Sequence, residues 1–411
     1  MQIERLKDII QSANMNFLFG SGLSRPYLST LGEIETWLTD LNTRPGLNDV
    51  ERDILRCSII NEYLQGVILP NLQGKINDDL EGYYDETIDN YASFLHNIGI
   101  LLLQRRMNLC HKTANLFTTN IDMLIEAAVR KTKLEFNDGF AGRKPAIFDE
   151  GNFSKMQSKV SMHLQKFHEI PTVNYIKLHG SINWKYDEAI VADDDLDTVK
   201  KVMDAFATIP FLLDVRSEKQ KIAKEKDGQS PLSPSDIMSH LVSELKKHLK
   251  DNEIDHSLYL SALKTYSEII MVNPTKSKFR ETVMDLPFYE LMRLFSNELE
   301  KPNTILFVGG FSFADEHLSK ITLRAANNNP TLLIVVFAYQ QADKVLIEKN
   351  LGIEEGCQNG NICVLCPEEY KECNSQTNDM KIKIDNIDSL KHFDLASIDK
   401  FVFQPIVGSI S

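Results

Sequence analysis

Four short apolar runs in this chain each end in small or polar residues that can handle a polar ligand. Phe17-Leu18-Phe19 runs into Gly20-Ser21-Gly22-Leu23-Ser24-Arg25. Glycines directly after a strand let backbone N–H groups approach a pyrophosphate that a side chain would hold away. The third glycine of the dinucleotide fingerprint is absent, so a plain strand-to-helix turn explains the same residues equally well. Leu116-Phe117 ends in Thr118-Thr119-Asn120-Ile121-Asp122. That set of amide, carboxylate and hydroxyls can hold a carboxamide and ribose hydroxyls by directed hydrogen bonds. A cap by Thr119 or Asn120 on a helix beginning near Asp122 is the structural alternative.

The third run, Tyr175-Ile176-Lys177-Leu178, ends in His179-Gly180-Ser181. Histidine is the natural base near neutral pH, and the glycine after it leaves the ring accessible. The fourth, Phe307-Val308, ends in Gly309-Gly310-Phe311-Ser312-Phe313-Ala314-Asp315-Glu316-His317. Glycine again permits close approach, and a tight turn capped by Ser312 or Asp315 accounts for the same residues without a ligand.

The elements that must position these groups form a simple pattern. Strands are predicted at Asn16 to Phe19, Ala114 to Phe117, Asn174 to Leu178 and Thr304 to Val308, with two more at Ile269 to Val272 and Leu332 to Phe337. Helical periodicity at Asp122 to Arg130, Phe288 to Leu299 and Asp315 to Ala325 separates several of them, as right-handed crossovers require. The expected fold is therefore α/β, a Rossmann-like doubly wound parallel sheet of about six strands with large helical insertions. Its parts are 12–45, 110–185 and 266–350 within a domain spanning 1–350. The insertions fill 46–109 and 186–265, the second carrying an amphipathic helix from Asp236 to Leu249 with Ser235 as its cap. Residues 351–411 form a C-terminal extension with a strand-like stretch from Asn361 to Cys366.

Composition narrows the function classes. A formal charge of −13 opposes phosphate binding in general, so direct nucleic-acid binding is not expected of this chain alone. No run approaches the roughly 20 apolar residues of a membrane span, and the first residues lack the pattern of a secretory signal, which predicts a cytoplasmic protein. No Gly-x-x-x-x-Gly-Lys loop occurs, so the chain is not read as an ATPase. Four of the six cysteines lie between Cys357 and Cys373, and only Cys363 and Cys366 have ligand-like spacing. On an extended segment those two face opposite sides, so reduced thiols are expected and zinc is not.

In their joint order, Gly-Ser-Gly-x-Ser, Thr-Thr-Asn-Ile-Asp, Lys-Leu-His-Gly-Ser and Gly-Gly-Phe-Ser-Phe-x-Asp-Glu-His resemble the sirtuin-like superfamily in its bacterial antiviral-defence branch. The resemblance covers roughly half the chain and leaves the insertions and the tail unmatched. It implies NAD as the ligand, with Gly20, Ser21, Gly22 and Ser24 at the phosphate loop and Ser312 near the adenosine side. Thr119, Asp122, Gly309, Gly310 and Asp315 complete the implied binding set, and Asn120 and His179 match the catalytic pair. Protein-deacylating members carry two cysteine pairs after the histidine, and no cysteine occurs here between Cys110 and Cys357. Hydrolysis of NAD to nicotinamide and ADP-ribose is accordingly the expected activity, in abortive antiphage defence. The resemblance extends to a homo-oligomer working beside a HerA-like hexameric ATPase. An NAD-dependent deacylase and a non-catalytic sensor of NAD or an ADP-ribose derivative are the rival expectations.

Overall fold

A computed structural model describes residues 1–29, 32–73, 78–105, 110–163, 165–225, 233–272, 286–375 and 382–410. They divide into two compact units, one of Met1–Tyr27, Gly82–His179 and Asp285–Ser411, the other of Leu28–Glu81 and Gly180–Met284.

The first unit is built on a seven-stranded sheet. Its strands are β1 (Asn14–Phe19), β2 (Thr113–Thr118), β3 (Glu135–Asn137), β4 (Thr172–Lys177), β5 (Thr304–Gly309), β6 (Leu332–Phe337) and β7 (Ile362–Leu365). They lie in the order β7-β6-β5-β1-β2-β4-β3, and every pairing is parallel. Flanking helices include α1 (Ile3–Ser12), α2 (Asp78–Gln104), α3 (Leu124–Val129), α4 (Leu286–Glu300), α5 (Glu316–Asn328) and α6 (Gln341–Leu351). Helices on both faces bury both sides of a parallel sheet, which is why β4 and β5 read as continuous buried runs rather than as alternation. Strand order reverses between β1 and β5, making their carboxyl ends the topological switch point of the sheet. The Rossmann-like α/β architecture expected from the sequence is present.

Two features tie this sheet together. Asparagines at register positions on four neighbouring strands form an amide ladder. Asn115 Nδ2 donates to Asn16 Oδ1, Asn174 Nδ2 to Asn115 Oδ1 and Asn137 Nδ2 to Asn174 Oδ1, each at 2.9 Å. A slip of one strand by one residue would orphan these buried and half-buried amides, so the ladder pins register. On another part of the sheet an aromatic cluster joins Phe17 and Phe307 to Phe94 of α2 and to Phe403 of the C-terminal segment. Burial of these large rings explains why α2 beyond Gly82 and the residues after 351, read as an insertion and an extension, belong to the same unit as the sheet.

The second unit is mainly helical, with helices at Gly32–Thr43, Asp49–Tyr63, Asp197–Ala207, Val215–Glu225, Pro234–Asp251 and His256–Tyr266 and a hairpin of Trp184–Asp187 with Ala189–Ala192. Reciprocal capping boxes start two of these helices, Asn48 with Glu51 and Ser233 with Asp236. The cap expected at Ser235 is thus Ser233, because the proline at 234 takes the first helical position, where its missing N–H costs nothing.

The strand expected at Ile269 to Val272 does not form. Met271 makes one isolated antiparallel bridge to Gly180, and burial of Ile269 and Met271 satisfies the apolar pattern without a ladder. The Asn273-Pro274 end of that run lies outside the described residues. The sheet instead gains β7, the strand-like stretch of the tail, and the three-residue edge strand β3. Among the described residues no helix is long and apolar enough to cross a membrane.

Candidate functional site

The carboxyl ends of β5, β1, β2 and β4 lie side by side at one level. Phe19 is in register with Gly309 on one side and Thr118 on the other, and Thr118 pairs in turn with Lys177. The hydrogen bonding runs one step past the strands: Gly20 N donates to Gly309 O at 3.0 Å, Thr119 N to Phe19 O at 3.1 Å and Leu178 N to Thr118 O at 2.8 Å. Asn120 and His179 each follow a register partner by two residues. Topology therefore puts the candidate catalytic pair on adjacent strand ends, beside the two glycine loops.

Those loops interlock. Gly22 N donates to Gly310 O at 3.0 Å, and a Cβ on Gly20 would lie 2.5 Å from Gly310 O. On Gly22 it would lie 2.9 Å from Gly310 Cα, and on Gly310 it would fall on the Leu23 amide nitrogen. Gly310 has φ +61°, a left-handed conformation that L side chains rarely adopt. Backbone packed on backbone is thus what demands glycine here, and the amides of Gly20 and Gly22 face carbonyls of the neighbouring loop. Gly309 is buried, and its missing side chain admits Leu23. Ser21 and Thr119 stay half-buried at the loop surface.

Beneath the loops sits a buried polar knot. Asn120 N donates to Thr118 Oγ1 at 3.0 Å, and its Nδ2 reaches Gly20 O at 3.3 Å and Ser24 Oγ at 3.2 Å. Ser24 Oγ donates to Asp122 Oδ2 at 3.2 Å and lies 3.3 Å from the Tyr91 hydroxyl. Asp122 Oδ1 accepts from Leu124 N at 3.1 Å at the start of α3. Lys177 donates to the Asp122 carbonyl at 2.6 Å and pairs with Glu126 at 2.5 Å, its side chain only 3% exposed. Burial pushes the carboxyls of Asp122 and Glu126 above the usual range, and the Lys177 charge opposes that shift without cancelling it. Burial also raises the Tyr91 hydroxyl. Two oxygens of this cluster have no hydrogen-bond partner, Glu126 Oε2 and Asn120 Oδ1, the latter on a residue 6% exposed. A buried acceptor left unpaired costs about 1–3 kcal/mol, which a ligand N–H or O–H would recover.

The fourth loop supplies a carboxylate to the histidine. Asp315 caps α5, its Oδ1 accepting from His317 N at 2.9 Å and Leu318 N at 3.2 Å. Its Oδ2 lies 3.3 Å from His179 Nε2, with both side chains 9% exposed. Just before it Phe313 is buried with φ +56°, an uncommon conformation for a bulky residue that turns the chain back toward the sheet. Ser312 is exposed, and its carbonyl accepts from Asn350 Nδ2 at 2.8 Å.

The structure thus gathers Gly20, Gly22, Ser24, Asn120, Asp122, Gly310, His179 and Asp315 around four strand ends and leaves Ser312 on the surface. Sequence reasoning missed Tyr91, Lys177 and Glu126. Lys177 carried a signal, since a lysine inside a run otherwise buried on both faces must find a partner. Tyr91, on a helix far away in sequence, carried none. Among the described residues no group of three or more His, Cys, Asp or Glu side chains is placed to hold a metal ion, and all six cysteines are free thiols. Comparison of the chain with models of known protein families and with curated proteins finds no match.

Proposed function

We propose that this chain is a sirtuin-like NAD hydrolase whose substrate lies across the carboxyl ends of β5, β1, β2 and β4. The observation that carries the reading is the unpaired, buried Asn120 Oδ1 on the strand end next to a histidine backed by a carboxylate. An open acceptor beside a base suits a ligand with N–H and O–H donors, which the carboxamide and ribose of NAD provide.

In this reading Asn120 accepts a hydrogen bond from the nicotinamide end or from the attacking water, and Asp122 orients the amide through Ser24. His179 accepts a proton from a ribose hydroxyl as positive charge develops at the anomeric carbon. The bond between that carbon and the pyridinium nitrogen breaks, with its electron pair leaving on nicotinamide. Water forms the new C–O bond and releases one proton, and His179 returns the proton it took to the ribose oxygen, giving ADP-ribose. Ser21 and Thr119, at the loop surface, face the phosphates and ribose, while Gly20, Gly22, Gly309 and Gly310 give the loops their shape. Depletion of NAD in antiphage defence, a homo-oligomeric state and control by a HerA-like ATPase belong to the same proposal and rest on the sequence resemblance.

The test is nicotinamide and ADP-ribose release from NAD by the full chain, alone and with a HerA-like ATPase, for wild type, Asn120→Ala and His179→Ala. Release by wild type and a loss on the order of 10²–10⁴-fold in both variants is expected. Release persisting in both would sink the site. NAD consumption only with an acylated peptide would make the chain a deacylase, and binding without turnover in every assembly would make it a sensor.

A further inference from the structure

We infer that Asp315 is the positioning residue of His179, fixing which ring nitrogen carries the proton and which is offered as base. The two oxygens of Asp315 have separate duties. Oδ1 is held by two backbone N–H groups at the start of α5, so the carboxylate cannot rotate without uncapping the helix. The rigid cap leaves Oδ2 aimed at His179 Nε2, 3.3 Å away, in a place where both side chains are largely shielded from water. At that distance the pair is long for a hydrogen bond, and contacts of this kind tighten when substrate closes a site. A carboxylate accepts only, so a neutral imidazole facing it carries its proton on Nε2 and presents the lone pair on Nδ1.

This inference rests on the proposed role of His179 as the base, yet its structural part can be read without NAD. The cap makes one substitution diagnostic. Asparagine caps a helix as well as aspartate does, so Asp315→Asn keeps its oxygen on the His317 and Leu318 amides. The amide nitrogen must then occupy the Oδ2 position. A donor now faces Nε2, and the neutral ring has to move its proton to Nδ1.

The experiment is nitrogen NMR of the full chain carrying ¹⁵N-histidine, at a pH where the ring is neutral, with the His179 signal assigned by its loss in His179→Gln. Nicotinamide release is measured on the same samples. The expected result is an Nε2–H pattern in wild type, an Nδ1–H pattern in Asp315→Asn, and a drop in kcat on the order of 10²–10⁴-fold with KM for NAD little changed. The same tautomer in both proteins would overturn the inference whatever the activity. A reversed tautomer with undiminished kcat would overturn the positioning role. A reversed tautomer in a chain whose wild type never cleaves NAD would uphold the control of His179 by Asp315 and count against the hydrolase reading alone.

Discussion

If the glycines of the two loops are required by backbone-on-backbone packing, Gly310→Ala must cost far more than its backbone angle explains. The control is built into the chain, because Gly352 has φ +67°, close to the +61° of Gly310, but nothing lies within 4 Å of the Cβ it would gain. An alanine in this left-handed region costs about 1–2 kcal/mol, and Gly352→Ala should pay that and little else. At Gly310 the new methyl would fall on the Leu23 amide nitrogen, 2.8 Å from Leu23 Cγ and 2.9 Å from the Gly22 carbonyl carbon. Backbone cannot give way as a side-chain tip can, so the loops must part. That breaks Gly20 N to Gly309 O and Gly22 N to Gly310 O, each exposing unpaired groups at about 1–3 kcal/mol. A total of about 3–8 kcal/mol is expected for Gly310→Ala. Both tryptophans, Trp37 and Trp184, lie in the second unit, so fluorescence does not report on these loops directly. Hydrogen exchange followed by mass spectrometry on β1 and β5 does. Protection there should fall by several orders of magnitude in Gly310→Ala and by about tenfold in Gly352→Ala. Equal effects in the two variants would refute the interlock as the reason for glycine.

The amide ladder gives a second expectation. Asn115→Ala removes the donor to Asn16 Oδ1 and the acceptor for Asn174 Nδ2, and should destabilise the chain by about 2–4 kcal/mol in thermal unfolding. The buried acids give a third, with a definite sign. Burial raises Glu126 and Asp122 above their ordinary values, so their contribution to stability is full below about pH 4, where unfolded carboxyls still hold protons, and is lost as pH rises through the folded values. Glu126→Gln removes part of that loss, so its stability relative to wild type should climb with pH above about 4 in denaturant titrations. A difference that stays flat or falls with pH would contradict the burial account.

Strands buried on both faces were legible because apolar residues dominate them even where a paired Asn16, Asn174 or Lys177 interrupts, which is why the runs at Phe17, Leu116, Tyr175, Phe307 and Leu332 marked the sheet. The same rule misled at Ile269 to Val272, where core packing alone produced the pattern. Glu135-Phe136-Asn137 was invisible because three mixed residues at a sheet edge carry no periodicity. At the site, residue types were legible while duties were not. Gly20 and Gly22 were read as openings for phosphate, yet what constrains them is the opposite loop, nearly 290 residues along the chain. Asp315 was marked as a ligand contact or a cap; that it also faces His179 depends on β4 lying two strands from β1, a fact of strand order that no local spacing encodes.

Asparagine is where structural and functional demands on this sheet can be told apart. Asn16, Asn115, Asn174 and Asn137 are amides on or within the sheet, and each is engaged by its neighbours in the ladder. These four amides are paired where pairing serves only the fold. Asn120 stands five residues beyond Asn115 on the same strand end, is as well buried, and has its N–H and Nδ2 satisfied by Thr118, Gly20 and Ser24. Its Oδ1 alone is left open. A residue held by three partners is not loosely placed, so the open acceptor is not a consequence of poor packing. A penalty retained at the carboxyl end of a strand beside the topological switch point, next to a histidine with its own carboxylate, is what a site pre-organised for a donor-bearing ligand requires. That contrast within one residue type supports Asn120 as the centre of the proposed NAD site more strongly than the motif from which it was first read.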